Sequence, residues 1–392
     1  MAYGVTLPLL PGLVEQAGGG ALADMERHTG WITGVYTLAL FLFAPAWGAL
    51  ADRVDRRWVL IAGMAGSSAA LWSLTLPLSI RGLYAVRALA GVAAAAVLPA
   101  VFAYVVTASP PSRLQRRFAW IASATALGFL LGPAVGDWLG GAAPHRMLDA
   151  SPLDVVAIVG LLAAVGVMRL APNRAIATTA DGAIPADRRQ IVGGLLLTAI
   201  VVLAITVAEV GVTLTVRRAP TTLPVSVYFA LCSGVMIAVQ FWALPPLERR
   251  LGEPCLVVLA FAVLATGLGL LGVLGMRAGA PAIATAFVFS AAAIGVLIPT
   301  LAVRISAAGG TRQGWAMGWQ AAAANLGQAA GAAVTGSLFA LSPPSPFLVA
   351  SGMAGATACA AAWQTSRRRA QGQPPSGAPN RARAKVPWRD SR

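Results

Sequence analysis

Apolar runs of about twenty residues recur from one end of this chain to the other, and nearly every charge falls in the gaps between them. A hydrocarbon core about 30 Å thick is crossed by roughly 20 residues of helix. With no water inside it, backbone N–H and C=O groups must be satisfied within each span, which favours helices. The 392 residues are 57% hydrophobic and 11% charged, against roughly 25% charged in soluble domains. The chain therefore reads as an all-α membrane protein with twelve transmembrane helices. Span 1, Met1 to Val14, has 14 residues before Glu15, so it is expected to be truncated, with residues upstream of Met1 completing it. Spans 2 to 6 are Trp31–Leu50, Trp58–Leu78, Gly82–Val106, Arg117–Gly140 and Leu153–Leu170. Spans 7 to 12 are Ile191–Val216, Leu223–Leu247, Cys255–Met276, Pro281–Val303, Gly314–Leu341 and Phe347–Gln364.

A net charge of +15 raises the question of nucleic acid, and the positions of the basic residues answer it. Fourteen of the 29 lie on one alternating set of loops, among them Arg53, Arg113, Arg188, Arg249 and Arg304, and six on the opposite set. That bias places the Arg53 loop and both termini in the cytosol. Topology accounts for the charge, and no nucleic-acid partner is implied. Enzyme chemistry lacks its residues. The lone lysine, Lys385, follows an alanine, so no phosphate loop exists. His28 and His145 make no H-E-x-x-H, and no serine sits in G-x-S-x-G. Cys232, Cys255 and Cys359 have no paired spacing for a disulfide framework or a metal. The reading is no enzyme, no cofactor and no metal.

Residues 171–190 form the longest internal polar stretch and divide the chain into halves, 1–170 and 191–365, each of six spans. Residues 366–392 carry eight basic residues and four prolines, a disordered cytosolic tail near anionic lipid. The halves echo each other. Asp52-Arg53 after span 2 is matched by Glu248-Arg249, 196 positions later, and Gly128-xxx-Gly132 by Gly327-xxx-Gly331, 199 later. A near-constant offset implies two six-helix pseudo-repeats, with a cavity at their interface that rocking exposes to each side in turn.

Three motifs carry the chemistry. Between spans 2 and 3 stands Gly48-Ala-Leu-Ala-Asp52-Arg53-Val-Asp55-Arg56-Arg57, span 4 holds Arg87-Ala-Leu-Ala-Gly91, and span 5 holds Gly128-Phe-Leu-Leu-Gly132-Pro133-Ala-Val-Gly136-Asp137. Together they resemble the major facilitator superfamily, in its twelve-span drug/proton antiporter branch. The first fits G-x-L-A-D-R-x-G-R-R at Gly48, Asp52, Arg53, Arg56 and Arg57, with Asp55 where the family has glycine. Asp tolerates the left-handed turn a glycine serves there better than most residues. The resemblance implies that Asp52 and the arginines latch the cytosolic ends of the two halves. The second is similar to R-x-x-Q-G, with Ala90 for the glutamine, and implies a part for Arg87 in proton transfer. The alternative is an arginine snorkelling to the outer headgroups. The third is similar to the antiporter motif G-x-x-x-G-P-x-x-G-G through Gly128, Gly132, Pro133 and Gly136, with Asp137 replacing the last glycine. Small residues four apart and a proline describe a tightly packed, bent helix in any case. Gly4, Pro8 and Pro11 of span 1 resemble the branch's G-x-x-x-P-x-x-P.

Proton coupling needs a carboxyl that can lose its charge, and burial favours its neutral form. Glu209 in span 7 is the most embedded acid, and counting at 1.5 Å per residue sets it about 27 Å across, near the outer boundary. It reads either as a coupling group or as an interfacial carboxylate paired with Arg217 or Arg218. Phe102, Tyr228, Gln240, Trp319, Gln320 and Asn325 are the candidates for the substrate cavity, an apolar wall with amides that suits hydrophobic organic molecules. Aromatic residues at helical spacing are equally read as lipid-facing anchors. The expected function is secondary active, proton-coupled export of hydrophobic drugs or small metabolites by alternating access, from a monomer in a bacterial inner membrane. The partners are a small organic substrate, protons and the lipid bilayer. The alternative is an importer or facilitator of a small nutrient on the same fold.

Overall fold

The computed structural model describes residues 6, 10, 12–18, 22–109, 111–140, 152–170, 186–218, 225–274 and 279–370. Gly4, Pro8 and Pro11, most of the 171–190 linker and most of the tail lie outside them, and no strand occurs among the described residues. A helix α1 covers residues 12–16, and α2 (Leu22–Ala51), α3 (Arg56–Ser73), α4 (Ile80–Ala94), α5 (Val97–Ala108), α6 (Pro111–Gly140) and α7 (Pro152–Leu170) complete the first half. The second half has α8 (Arg188–Arg218), α9 (Val225–Ala238), α10 (Leu244–Leu274), α11 (Gly279–Ala308), α12 (Gln313–Leu341) and α13 (Ser345–Ala370). Six described stretches are long and apolar enough to cross a membrane, from Trp31–Ala51 to Ser345–Arg367. Across the helices, Leu38, Leu42, Leu89, Leu162, Leu196 and Leu326 are all largely exposed, as a lipid-facing surface should be. Trp58 and Trp72 near the ends of α3, and Trp31 and Trp363 near the ends of their spanning stretches, are exposed where interface anchors sit.

Prolines decide where the helices depart from the expected spans. Span 4 is two helices rather than one, because Pro99 lacks an N–H and its ring meets the carbonyl four residues back, at Ala95. Between α9 and α10 the chain widens into a π-helical segment, Val239–Ala243, just ahead of Pro245 and Pro246, whose missing N–H groups leave carbonyls in that turn without ordinary partners. The junction of spans 8 and 9 is one left-handed residue, Gly252 at φ 71°, followed by Pro254, and helix resumes at once on either side.

Each half buries its own core. In the second, Val207, Tyr228, Phe261, Phe287, Leu297 and Phe347 are nearly or fully buried together. In the first, Ile32, Leu74, Leu83 and Leu153 form one cluster and Ala51, Val59, Ala96 and Ala100 another. A further cluster belongs to both halves: Phe118 of α6 with Ile191 of α8, Ala302 and Ile305 of α11, and Met317 of α12, flanked by Phe102 and Leu114. This cross-half apolar seal sits at the end of the bundle that carries Asp52.

Candidate functional site

Helix α12 begins without a cap of its own. Arg312, in the N-cap position, gives no side-chain hydrogen bond, although the first N–H groups of any helix need acceptors. Asp52, 262 residues earlier and in the other half, supplies them: Gly314 N–H donates to Oδ1 and Trp315 N–H to Oδ2, both at 2.8 Å. A carboxylate at a helix N-terminus also gains from the helix dipole. Approach this close requires bare backbone. A Cβ on Gly48 would overlap the Gly314 carbonyl, one on Gly314 would overlap the Gly48 carbonyl and stand 2.8 Å from Asp52 Oδ1, and one on Gly318 would overlap the Ala44 carbonyl. Gly314 and Gly318 are a small-xxx-small pair that nothing but their spacing announces in the sequence.

Arg56 holds the carboxylate from the other side. Its Nη2 lies 3.8 Å from Asp52 Oδ1, while Nη1 donates to Ala103 O at 3.1 Å and Nε to Ala51 O at 3.2 Å, so it braces the loop against α5. Burial raises the Asp52 carboxyl above its ordinary range, outweighing the amides of Trp315 and Gly314 and the charges of Arg56 and Arg312. Burial likewise lowers the Arg56 guanidinium, with Asp52 and Asp55 opposing. Arg57 stands over the Trp58 ring at 5.5 Å, and Arg53 is exposed. Asp55 needs no left-handed turn. At φ −58° it is the N-cap of α3, its carboxylate accepting from Arg57 N–H at 2.9 Å.

Five residues beyond the sequence echo at Glu248, Glu253 forms an ion pair with Arg304 of α11, 3.7 Å apart and within one half.

Arg87 is 1% exposed, so it does not snorkel. Its guanidinium lies 4.4 Å from the centroid of the Tyr36 ring on α2, and a Cβ on Gly91, one turn along, would meet the Tyr36 carbonyl at 2.5 Å. Glu209 is half-buried on α8, and the side chains of Arg217 and Arg218, its expected partners, lie outside the described residues. Gly128 sits in α6 as expected, while the side-chain surroundings of Gly132, Pro133 and Gly136 lie outside the described residues.

The six cavity candidates do not converge on one surface. Phe102 packs edge to face on Phe118, ring centroids 4.9 Å apart, inside the seal. Tyr228 is fully buried in the core of the second half. Gln240, in the π-helical segment, accepts the hydroxyl of Ser123 on α6, a buried bond between the halves. Gln115 of α6 adds another, its Nε2 3.3 Å from Thr300 Oγ1 on α11. Trp319 is partly exposed beside Trp315, Gln320 is buried and Asn325 half-buried on α12. Ser123 and Thr300 were missed because single polar residues in apolar spans have no spacing to mark them, and Gln115 because it stands among the basic residues of a loop.

Comparison with known proteins bears on what such an arrangement belongs to. Multidrug resistance protein 2 of Bacillus subtilis (strain 168) is 24% identical over 366 residues, 89% of this chain and 88% of that protein. The class B tetracycline resistance protein of Escherichia coli is 30% identical over 168 residues, 43% of this chain, and the chain spans 40% of that relative's length. Among solved structures, the human organic anion transporter MFSD10 (TETRAN) superposes with a TM-score of 0.70 at 22% identity, covering 90% of this chain and 93% of that one. The E. coli fucose:proton symporter FucP gives 0.69 at 16% identity, over 92% and 94%. The twelve-helix, two-half architecture is thus the one those structures share. With a family profile matched across residues 1–314, the chain belongs to the Major Facilitator Superfamily.

Proposed function

We propose that this protein is a proton-coupled exporter of hydrophobic organic molecules, working by alternating access from a bacterial inner membrane with both termini in the cytosol. The observation that carries the reading is the Asp52 cap on α12, which joins the two halves at one end through bonds that rocking must break. The loop bias in basic residues makes that end cytosolic, so the conformation is closed toward the cytosol, with the Phe118–Met317 seal beneath the latch. The names of the relatives, resistance to tetracycline and to multiple drugs, support an outward direction and apolar cargo. Among the described residues, buried Arg87 beside Tyr36 and half-buried Glu209 are candidates for coupling.

The test is dye efflux from a drug-sensitive host expressing the chain, with and without a proton-gradient uncoupler. Efflux abolished by the uncoupler is expected. Equilibration that ignores the uncoupler would instead make the protein a facilitator, and uptake in place of efflux an importer.

A further inference from the structure

Within the second half, α8, α10 and α13 enclose an open groove of about 670 Å³, within the range of about 300 to 1,000 Å³ of small-molecule sites. Gly193, Leu197 and Ile200 of α8 form one wall. Val257 of α10 and Ala356 and Ala360 of α13 form the others, the small side chains on α13 leaving the space open. Arg304 of α11 is the one charged residue in this lining. None of Asp52, Arg56, Gly314 and Trp315 takes part in it.

Two features say what fills the groove. Its walls are spanning segments, and Leu196 beside it is largely exposed, so its contents meet lipid tails. Arg304 lies four residues before the end of α11, about 6 Å at 1.5 Å per residue, a depth at which a guanidinium reaches headgroups. The same end is ringed by Arg188, Arg189, Arg249, Arg250 and Arg367, against Asp187, Glu248 and the Glu253 that pairs with Arg304. The local charge is positive, and basic residues at a membrane surface attract anionic lipid.

We propose that this groove is a binding site for an anionic phospholipid, its phosphate at Arg304 and an acyl chain along Ile200, Val257 and Ala356. The phosphate shares Arg304 with Glu253, and a guanidinium has donors enough for both.

The full chain, purified in a neutral detergent, is titrated with phosphatidylglycerol, phosphatidylcholine or inorganic phosphate, and retained lipid is counted by native mass spectrometry. Gly193→Phe fills the groove without backbone conflict, since a Cβ at Gly193 meets nothing within 4 Å. The wild type should retain phosphatidylglycerol about tenfold better than phosphatidylcholine, and Gly193→Phe should lose about tenfold of that retention, each roughly 1.4 kcal/mol. Arg304→Gln should erase the preference between the two lipids. The double variant Arg304→Gln/Glu253→Gln should do the same without leaving an unpaired carboxylate. Equal retention of both lipids by the wild type overturns the proposal, as does full retention by Gly193→Phe. Competition by inorganic phosphate alone would show an anion site with no part for the acyl chain. A hydrophobic dye whose binding Gly193→Phe weakens while phosphatidylglycerol retention stands would give the groove to transported cargo.

Discussion

The carboxylate of Asp52 caps helix α12 at Gly314 from the opposite half of the chain, Oδ1 standing 2.8 Å from the Gly314 nitrogen. Two charge-assisted bonds and a helix N-terminus meet there, in a joint that must open for the halves to rock. Hydrogen bonds to charged groups contribute about 1.5 to 3 kcal/mol each. Burying the carboxylate offsets part of that gain, so Asp52→Ala should weaken the closed form by about 2 kcal/mol, roughly a 30-fold change in the closed-to-open ratio. The distance between spin labels at Val54 and Ala307, both exposed at this end, reports the opening. An unchanged distance distribution would remove Asp52 from the latch.

Gly314→Ala should act on the same joint by a different route. The new methyl overlaps the Gly48 carbonyl and crowds Asp52, so α2 and α12 must separate at a cost of about 1 to 3 kcal/mol, as for other overpacked contacts. Gly34→Ala is the control, because nothing lies within 4 Å of a Cβ there. Equal label distances in the two variants would mean that close approach does not govern closure.

Acidity should tighten the latch. In the closed form burial raises the Asp52 carboxyl above 3.8, its ordinary value, and opening returns it to water. The closed form then binds the proton more strongly, so its advantage is fully present below about 3.8 and is lost as pH rises through the raised value. Asn at position 52 keeps one acceptor oxygen and cannot titrate. The Val54–Ala307 distance should therefore shorten on acidification in the wild type and lose that response in Asp52→Asn. A retained response would place the titrating group elsewhere.

Much of this joint was legible in the sequence and part of it was not. Gly48, Asp52 and Arg56 stand in a fixed order with a motif behind them, and the span pattern led directly to a two-half helical bundle. The partner surface at Gly314 and Gly318 was invisible because two glycines among the chain's 42 carry no local signal of which helix they meet. Asp55 was misjudged for a related reason. A glycine position suggested left-handed backbone, but at φ −58° this residue caps α3 through its side chain, which glycine cannot do. Tyr228 and Gln240 looked like cavity residues by span and chemistry. Which face of a helix turns toward the partner half is set by packing that one sequence does not record: Tyr228 lies in the core of the second half, while Gln240 meets Ser123 between the halves.

Tyr36 should matter to Arg87 beyond simple burial. A desolvated cation over an aromatic face is worth about 2 kcal/mol, and the Arg87 guanidinium is 4.4 Å from the Tyr36 ring centroid. Tyr36→Leu should lower thermal stability by about 1 to 2 kcal/mol. Tyr36→Phe, which keeps a ring face, should recover most of it. If Phe and Leu are equally destabilising, the phenol hydroxyl rather than the ring supports Arg87.

Glu209 is the sharpest test of coupling. It lies half-buried in a spanning helix, where an ionisable side chain is costly and persists for a function. If it carries the proton, Glu209→Gln removes the only titration at that position while keeping shape and one acceptor oxygen. Uncoupler-sensitive efflux should then fall about tenfold or more, the rate effect of roughly 1.4 kcal/mol or greater on the limiting barrier. Glu209→Asp retains a titratable group and should preserve part of the flux. Binding of the dye to the purified protein, measured in parallel, separates a coupling role from a substrate contact: it should be unchanged in Glu209→Gln if the carboxyl serves the proton. Should binding and efflux fall together, Glu209 touches the substrate, and if neither changes, coupling rests on another group such as Arg87.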